Sequence, residues 1–501
     1  MRIRLSAEVN MPLPKKKSRK APAAKKPARG KPEMSPERAK LVERMVEELR
    51  RARRERADPT ATFEQESDTA FEIMRDVLLK DEEARLRESV TTAEEVDVDG
   101  KKFSRLEQAS SATYFGRFGA HHIEEALYRE VGVHNGPTIK PIELRVGVVE
   151  RMLPDMARVV GRLTADHNSR ALDRTLVAVG YVPPSRAFLQ DHVTRIGAEV
   201  ADAAAELEQA ARDDEAPPRG VASVSCGLDR MAVRMSEIVE GEPRTRAEPY
   251  ERAPPPPSEQ RYRMAWVGST TAYDTKGDEL GTWRCATEAD ADPADLADRV
   301  AEDVAWLLDV NPHARVHCVQ DAAPELSALP EALARALPAD VEVVELVDFE
   351  HVARYLDNVI DACDPADTHD MKSWYRSVLL DDDSGIDRIQ HNLRRQGQRL
   401  PVDDDSAAAR KAIAAALSYM RPRKDKMRYA SHYRQNLPIG SGATESTCWQ
   451  MQQRVKLPGQ SWVPMGLRGV LAIRALVLSA RWDSAWRHYA AFHRAEVSIS
   501  P

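Results

Sequence analysis

The sequence predicts a mixed α/β fold, in which a region of strands and alternating helices lies between two mainly helical regions. Three observations support this prediction. Three strand-type runs follow one another between residues 221 and 287 without a helical pattern between them. Helix and strand patterns then alternate up to residue 351. Amphipathic helical patterns dominate residues 142–210 and the chain after residue 351.

Length and composition are those of an ordinary globular protein. The 501 residues are enough for about two to four domains, and 42% of them are hydrophobic and 31% charged. No apolar run approaches the roughly 20 residues that span a bilayer, and the N-terminus lacks the apolar core of a secretory signal. The five cysteines form no C-x-x-C pattern, which argues against a zinc knuckle or a disulfide framework. We therefore expect a cytoplasmic, nucleoid-associated protein without membrane contact.

The net charge of −7 conceals a strongly basic start. Residues 1–30 contain ten Lys and Arg against one Glu, so residues 1–33 are predicted to form a disordered basic arm that can contact phosphates without folding. The alternative is a solvated tail, or residues upstream of a true start at Met11. The acidity of the remaining chain is compatible with a metal site, whose carboxylates repel DNA until a divalent cation binds.

The region 34–140 is predicted to be mainly helical. Ser35 and Pro36 are typical of a helix start, and Leu41, Met45 and Leu49 follow at helical spacing. A second helix is predicted over about residues 63–80, with four side chains pointing inward: Phe71, Met74, Val77 and Leu78. Short strands flanking a turn are expected in V-D-V-D-G-K-K-F, and another extended pair in A-T-Y-F-G-R-F-G-A-H-H.

The region 141–215 contains a pattern that resembles a helix-turn-helix. One helix ends at Gly180, and Ser185 caps the next. This second helix is predicted to expose four polar side chains, Arg186, Gln190, His192 and Arg195, while Phe188, Val193 and Ile196 pack inward. Such a helix can enter a major groove, so Arg186, Gln190 and Arg195 are predicted DNA contacts. The alternative is plain helical packing.

The region 216–351 has the element order βββαβαβ, ending in a helix, and this is the order of an RNase H-like domain. Residues 352–437 are predicted to form a helical insertion. Residues 438–501 then return to the domain with its last helices. They begin with the stretch from Pro438 to Trp462, in which a glycine turn precedes a helix with Glu445 in its first turn.

Three acids stand out within this order. Asp229 lies on the first strand, Asp321 follows the fourth strand, and Glu445 lies on the helix expected to pack against that sheet. The first and fourth strands are neighbours in an RNase H-like sheet, so the two aspartates are expected to converge. Clustered carboxylates favour Mg²⁺ or Mn²⁺, and two such ions about 3.5–4 Å apart support phosphoryl displacement. The alternative for each acid alone is a residue of a turn.

Several motifs resemble those of a known family. They are G-L-D (227–229), V-Q-D-A-A (319–323), L-V-D-F-E-H (346–351), L-P-I-G-S-G-A-T-E-S-T-C (437–448), R-V-K-L-P-G-Q-S-W (454–462) and L-R-G-V-L-A-I-R-A-L-V-L-S-A-R-W-D (467–483). Over residues 216–490 the chain resembles bacterial insertion-sequence DDE transposases of the ISKra group, related to the Mutator-like superfamily. The resemblance implies that Asp229, Asp321 and Glu445 are catalytic metal ligands. It also implies that His351 of a D-x-x-H signature is an accessory catalytic group; the alternative is a strand-end Asp348 and a helix-capping His351.

The helix that carries Glu445 also has basic and amide side chains, and Gln452, Arg454 and Lys456 are predicted to contact DNA. Trp449 can stack on a flipped base or pack in the core. The expected activity is strand cleavage and strand transfer on double-stranded DNA, namely the terminal inverted repeats and a target. Because two ends must be handled together, a homodimer or higher oligomer is expected. The alternatives are a catalytically retired transposase that binds DNA and an RNase H-like nuclease.

Overall fold

The computed structural model describes residues 36–55, 60–238, 258–363 and 368–499. The predicted basic arm at 1–33 lies outside these residues. The contacts divide the chain into two units, Met1–Leu78 and Leu79–Pro501. Helices and strands are mixed, as the sequence predicts, and the strands form two five-stranded sheets. None of the described helices combines the length and apolarity needed to cross a membrane.

The first unit contains the two predicted helices, α1 (Pro36–Glu55) and the beginning of α2 (Phe63–Glu88). The guanidinium group of Arg53 pairs with Glu66 at 2.6 Å and links them. The prediction that Phe71, Val77 and Leu78 point inward was wrong, because all three are exposed and Phe71 retains 49% of its accessible surface. Helical periodicity identifies an apolar face, but it does not determine what covers that face.

The second unit begins with a sheet formed by the expected strands and by the end of the chain. Its order is β10-β1-β2-β3-β4. The strands are β1 (Glu95–Val98), β2 (Lys101–Phe115), β3 (Ala120–Glu130), β4 (Thr138–Ile139) and β10 (Val497–Ile499). Asp99 and Gly100 form the β1–β2 turn with positive φ angles of 51° and 81°. The sequence analysis did not predict β10, a three-residue strand that forms by pairing with β1.

Five helices follow, as expected for this region: α3 (Pro141–Val146), α4 (Pro154–Thr164), α5 (Ser169–Ala178), α6 (Arg186–Asp202) and α7 (Ala204–Asp214). Ser185 caps α6 by accepting a hydrogen bond from the backbone N–H of Phe188 at 3.3 Å. The prediction that α6 exposes His192 was wrong. His192 is 2% exposed because its ring stacks on Phe188 with centroids 5.8 Å apart. Arg186, Gln190 and Arg195 are exposed.

Helices α4, α5, α6 and α7 share a hydrophobic core with the last two helices of the chain, α16 (Pro464–Leu478) and α17 (Trp482–Phe492). Helix α6 crosses α16 at two glycines, Gly197 and Gly469. A Cβ atom on Gly469 would lie 2.5 Å from the carbonyl carbon of Gly197, so the two backbones are in direct contact. Residues 141–215 therefore pack directly on the C-terminal helices.

The second sheet has the order β7-β6-β5-β8-β9. Its strands are β5 (Ser223–Ile238), β6 (Ser258–Tyr273), β7 (Glu279–Thr287), β8 (Arg315–Gln320) and β9 (Val343–Val347). The three strands β5, β6 and β7 form an antiparallel meander, and β8 and β9 run parallel to β5. The intervening and following helices are α8 (Pro293–Val310), α9 (Ala328–Ala336) and α10 (Phe349–Cys363). The predicted element order is confirmed.

Side chains of β5 alternate between two cores. Cys226 and Leu228 belong to the core formed with α8 and α9. Met231 and Val233 belong to the core formed with α16 and with α15 (Gly442–Val455). Since successive strand residues point to opposite faces, the odd-numbered Asp229 faces the side of the sheet on which α15 packs.

The segment between β9 and α15 is mainly helical, as predicted. After α10 it contains α11 (Thr368–Asp381), α12 (Gly385–Arg399), α13 (Ala407–Met420) and α14 (Ala430–Arg434). These helices build a hydrophobic cluster of their own around Leu356, Tyr375, Ile389 and Ile413. Tyr429 joins this cluster to the sheet, because its hydroxyl donates a hydrogen bond to the carbonyl of Val347 at 2.9 Å. The start of α14 is thereby held at the end of β9.

Candidate metal centre

Three aspartates lie at the same level of three adjacent parallel strands. Strands β5 and β8 pair with a register offset of 92 residues (Cys226 with Cys318), which equals the interval from Asp229 to Asp321 (321 − 229 = 92). Strands β8 and β9 pair with an offset of 27 (Gln320 with Val347), which equals the interval from Asp321 to Asp348 (348 − 321 = 27). Residues at one level of adjacent parallel strands point to the same face. The register therefore places the three aspartate positions side by side at one edge of the sheet, but only Asp348 belongs to the group of ligand atoms that lie within 4.8 Å of one another among the described residues.

Asp348 is the most deeply buried of the three, at 1% exposure. Its Oδ2 accepts a hydrogen bond from the backbone N–H of His351 at 3.0 Å, so it caps α10. Its Oδ1 accepts one from the backbone N–H of Ser441 at 2.9 Å, which holds the loop before α15. Burial opposes ionisation, but the hydrogen bonds from His351 and from Ser441 outweigh it and lower the pKa of Asp348. Asp348 is thus an ionised carboxylate that joins β9 to the start of α15.

His351 lies between two of the aspartates. Its Nδ1 is 3.4 Å from Oδ2 of Asp348, and its Nε2 is 3.3 Å from Oδ2 of Asp321. The contact with Asp348 raises the pKa of His351; burial opposes this, and the negative charge of Asp321 adds to it. The alternative of a strand-end Asp and a helix-capping His is right for the position of Asp348, but Asp348 itself caps α10, and His351 instead reaches Asp321.

Glu445 approaches the same group from α15. One ligand atom from each of Asp348, His351 and Glu445 can be chosen so that all three lie within 4.8 Å of one another. Much of the Glu445 side chain is exposed, yet desolvation of its carboxyl group, followed by the negative charges of Asp348 and Asp229, raises its pKa. Negative charge is therefore concentrated where Glu445 meets the sheet, and a bound cation would relieve the repulsion.

Two proton donors hold the other two aspartates. The Cys448 thiol, one helical turn after Glu445, donates to Oδ2 of Asp229 at 3.3 Å. The Tyr419 hydroxyl of α13 donates to Oδ1 of Asp321 at 2.8 Å. The sequence analysis identified neither contact. Helical spacing from Glu445 could have suggested Cys448, whereas Tyr419 lies 98 residues from Asp321 and no local signal connects them.

Close packing of α15 on the sheet depends on a glycine. A Cβ atom on Gly227 would lie 2.6 Å from the carbonyl oxygen of Val319 and 2.8 Å from Oγ1 of Thr444. Thr444, next to Glu445, shares a 2.8 Å hydrogen bond with the hydroxyl of Ser269 on β6. The glycine of the G-L-D motif therefore leaves the space that lets Glu445 approach Asp229.

A cavity of about 350 Å³ opens beside Asp321. Its lining combines the acidic Asp321 and Glu345 with the basic Arg423 and Lys426. Arg423 donates to the carbonyl of Ala322 at 3.1 Å, and Lys426 pairs with Glu345. The candidate metal centre is thus adjacent to a polar cavity that carries both signs of charge.

One predicted DNA contact on α15 does not face the metal centre. Arg454 is 4% exposed, and its Nε donates to the carbonyl of Thr164 at 3.0 Å. It follows Glu445 by nine residues, about two and a half helical turns, and therefore lies on the opposite side of α15. Lys456 is exposed and Gln452 is partly buried. The core alternative for Trp449 was wrong, because this side chain is 61% exposed.

The donor set fits a divalent cation, although it differs from the predicted set. Asp348, His351 and Glu445 offer two carboxylates and one imidazole, whereas the sequence analysis expected the acids Asp229, Asp321 and Glu445. Carboxylate oxygens suit Mg²⁺ and Mn²⁺, and an imidazole nitrogen suits softer transition metals better than Mg²⁺. Asp229 and Asp321 adjoin this group through the contacts described above. Comparison of the sequence with known protein families and with curated proteins gives no match.

Proposed function

We propose that this protein is a DNA transposase with an RNase H-like catalytic domain and an acid triad of Asp229, Asp321 and Glu445. The observation that carries the proposal is the equal register of Asp229 on β5, Asp321 directly after β8 and Asp348 directly after β9. Glu445 of α15 lies beside this edge, in one group with Asp348 and His351. The strand order β7-β6-β5-β8-β9, with a meander followed by two parallel strands, is the order expected for such a domain. The helical insertion between β9 and α15 agrees with the proposed architecture.

The proposed chemistry is an in-line displacement at a DNA phosphate. Asp229, Asp321 and Glu445 would hold Mg²⁺ or Mn²⁺, two ions when fully loaded, which supply activation of water or a DNA 3′-hydroxyl and stabilisation of the leaving oxygen. Tyr419 and Cys448 orient the two aspartates through the hydrogen bonds that they donate. The contact with Asp348 and the charge of Asp321 raise the pKa of His351 and so favour its protonated form between the two aspartates. We propose that His351 acts as an accessory group beside the scissile phosphate.

The proposed substrate is double-stranded DNA, first the terminal inverted repeats and then a target. The proposed DNA contacts remain the exposed Arg186, Gln190 and Arg195 of α6, the partly buried Gln452 of α15, and the exposed Lys456 directly after α15. Arg195 forms a 2.6 Å ion pair with Glu150, which DNA binding would have to rearrange. Because two ends must be processed together, we propose a homodimer or a higher oligomer as the active form.

The test is a cleavage and joining assay on a duplex that carries the inverted repeats flanking the gene. We expect Asp229→Asn, Asp321→Asn and Glu445→Gln each to abolish cleavage in Mg²⁺ or Mn²⁺ while DNA binding in EDTA is retained. The exposed Asp405→Asn is the matched control and should cleave like the wild type. Cleavage at the wild-type rate by any triad variant would contradict the assignment. Hydrolysis without a joined product would instead identify an RNase H-like nuclease, and binding by a wild type that never cleaves would identify a retired transposase.

A further inference from the structure

Arg454 lies on a second polar cavity, on the side of α15 that faces away from Glu445. The cavity has a volume of about 290 Å³. Its walls come from α15, from the loop that follows it, from the start of α5 and from α6, and they include Arg454, Gln460, Ser169 and Gln190. The cavity therefore lies between the helix that carries Glu445 and the helix predicted to read DNA.

Positive charge exceeds negative charge at this cavity. The nearby Arg474 is 6% exposed and pairs with Asp166 at 2.7 Å. Arg162 pairs with the other oxygen of the same carboxylate at 3.0 Å. Among the residues that the structure describes, no carboxylate lies within 4.0 Å of the Arg454 guanidinium group. Arg454 is thus the only Arg, Lys, Asp or Glu among the described residues that line the cavity, and the neighbouring Arg474 is already paired with Asp166. A buried charge without a carboxylate partner is unfavourable.

The described contacts of Arg454 leave much of its donor capacity unused. Its Nε donates to the carbonyl of Thr164 at 3.0 Å. The Gln460 side-chain amide makes two hydrogen bonds with Arg454. Its oxygen accepts from Nη1 of Arg454 at 3.0 Å, and its nitrogen donates to the backbone carbonyl of Arg454 at 3.1 Å. The Trp462 ring lies 5.0 Å from the guanidinium carbon. These contacts occupy two of the five N–H donors of an arginine.

Two further features favour an anion here. The cavity is lined by Asn168 and Ser169 at the N-terminus of the ten-residue helix α5, where the helix dipole favours negative charge. Burial and the neighbouring Arg474 lower the pKa of Arg454 only to about 10, so its guanidinium group remains charged at neutral pH. The Asn168 side chain already caps α5 by accepting from the backbone N–H of Ala171 at 2.9 Å. An oxyanion in the cavity would therefore be held mainly by the arginine, with the helix dipole adding to the attraction.

We propose that this cavity binds a phosphate group through the Arg454 guanidinium, and that the group belongs to the DNA backbone. A guanidinium group can hold two phosphate oxygens with parallel hydrogen bonds. The assignment of the phosphate to DNA rests on the proposed function. The existence of a phosphate site is inferred independently, from the buried Arg454 guanidinium group. Since Gln190 of α6 lines the same cavity, a bound phosphate would tie the predicted recognition helix to the helix that carries Glu445. End binding and cleavage would thereby share one anchoring contact.

The first experiment uses inorganic phosphate and the full-length protein in EDTA. We expect the Tm of the wild type to rise with phosphate more than with chloride at equal ionic strength, as ligand binding to the folded state requires. Gln460→Glu places a carboxylate against Nη1 and should weaken phosphate binding by at least about tenfold. Gln453→Glu changes an exposed position of α15, makes the same change of charge and should bind phosphate like the wild type.

The variant also tests whether Arg454 needs an anion. Gln460→Glu should be more stable than the wild type in phosphate-free buffer, because the carboxylate neutralises the buried charge within the protein. If the wild type shows no phosphate-specific rise in Tm, or if Gln460→Glu retains that rise, the site is not a phosphate site. Should Gln460→Glu fail to fold, Arg454→Lys provides the second variant. It keeps the charge without the fork of donors, and it should bind phosphate more weakly.

The second experiment identifies the source of the phosphate. Binding of a duplex is measured in EDTA as a function of salt, so that cleavage plays no part. The logarithm of the DNA association constant falls linearly as the logarithm of the salt concentration rises. We expect this slope to be shallower by about one in Gln460→Glu than in Gln453→Glu, as for one lost phosphate contact. An unchanged slope, with inorganic phosphate binding lost, would overturn the DNA source in favour of a small phosphate compound. Because neither measurement uses metal or cleavage, failure here is distinct from failure of the acid triad.

Discussion

The imidazole of His351 connects Asp321 and Asp348, the residues that follow two adjacent parallel strands. Its Nε2 lies 3.3 Å from Oδ2 of Asp321, and its Nδ1 lies 3.4 Å from Oδ2 of Asp348. Asp348 in turn holds the backbone of Ser441, immediately before the helix of Glu445. One chain of contacts therefore runs from the end of β8 through α10 to α15. Changes at His351 should be felt at each of these positions.

Replacement of His351 by Asn should weaken metal binding and cleavage together. The imidazole supplies one of the three closely placed donors and also orients Asp321, and the loss of such an orienting group typically lowers metal affinity or activity by about 10–100-fold. Titration with Mn²⁺ and the cleavage assay measure the two effects. His391→Asn changes an exposed histidine of α12 and should leave both values unchanged. If His351→Asn binds Mn²⁺ as tightly as the wild type, the imidazole is not part of the metal centre.

Tyr419→Phe should lower the cleavage rate while it preserves the fold of the insertion. The substitution removes only the hydroxyl that donates to Asp321 at 2.8 Å, and the ring can still stack on Tyr355 with centroids 4.2 Å apart. We expect a loss of stability of about 1 kcal/mol, typical of one hydrogen bond, measured by urea unfolding. We also expect a lower cleavage rate, because Asp321 loses its orienting donor. Tyr355→Phe retains the stacked pair and serves as the control; equal rates in the two variants would contradict the orienting role.

Gly227→Ala should destabilise the protein by forcing α15 away from the sheet. The new methyl group would lie 2.6 Å from the Val319 carbonyl oxygen and 2.8 Å from Oγ1 of Thr444. Overpacking of this kind costs about 1–3 kcal/mol, and the displaced Glu445 should also reduce Mn²⁺ affinity. Gly442→Ala is the control, since a Cβ atom there meets no atom within 4 Å. If Gly227→Ala is as stable as the wild type, α15 and the sheet can separate enough to accept the methyl group without cost, and the prediction is wrong.

His192 should make the protein less stable in mild acid. Burial lowers its pKa to about 4 from an ordinary value of 6.5. Between these values the unfolded chain binds a proton that the folded protein does not, so the free energy of unfolding falls as the pH falls. The difference approaches about 3 kcal/mol at the lower end. His192→Leu should remove this part of the pH dependence, measured by urea unfolding at pH 7.5 and pH 4.5.

A similar dependence from His317, whose pKa burial also lowers to about 4, remains in both proteins. Identical pH profiles for wild type and variant would contradict the prediction.

The order of helices and strands could be read from the chain because it depends on local patterns. Three consecutive strand-type runs without a helical pattern between them identified the meander, and cap residues such as Ser185 identified helix starts. The elements that carry Asp229, Asp321 and Glu445 were predicted in the same way. These properties depend on neighbours within a few residues, which a single sequence displays directly.

Long-range pairing decided the rest. The register of β5, β8 and β9 aligned Asp348 with Asp229 and Asp321, and the fold of the insertion brought Tyr419 to Asp321 across 98 residues. Packing against Phe188 buried His192, and the hydrogen bond from Arg454 to the carbonyl of Thr164, at the end of α4, holds Arg454 beside a cavity away from Glu445. Periodicity marks which faces of a helix are apolar or polar, but the partner of each face is set by contacts between residues far apart in the chain. The acids were therefore identifiable from their strands and helix, whereas the surroundings of each acid followed only from the packing of distant segments.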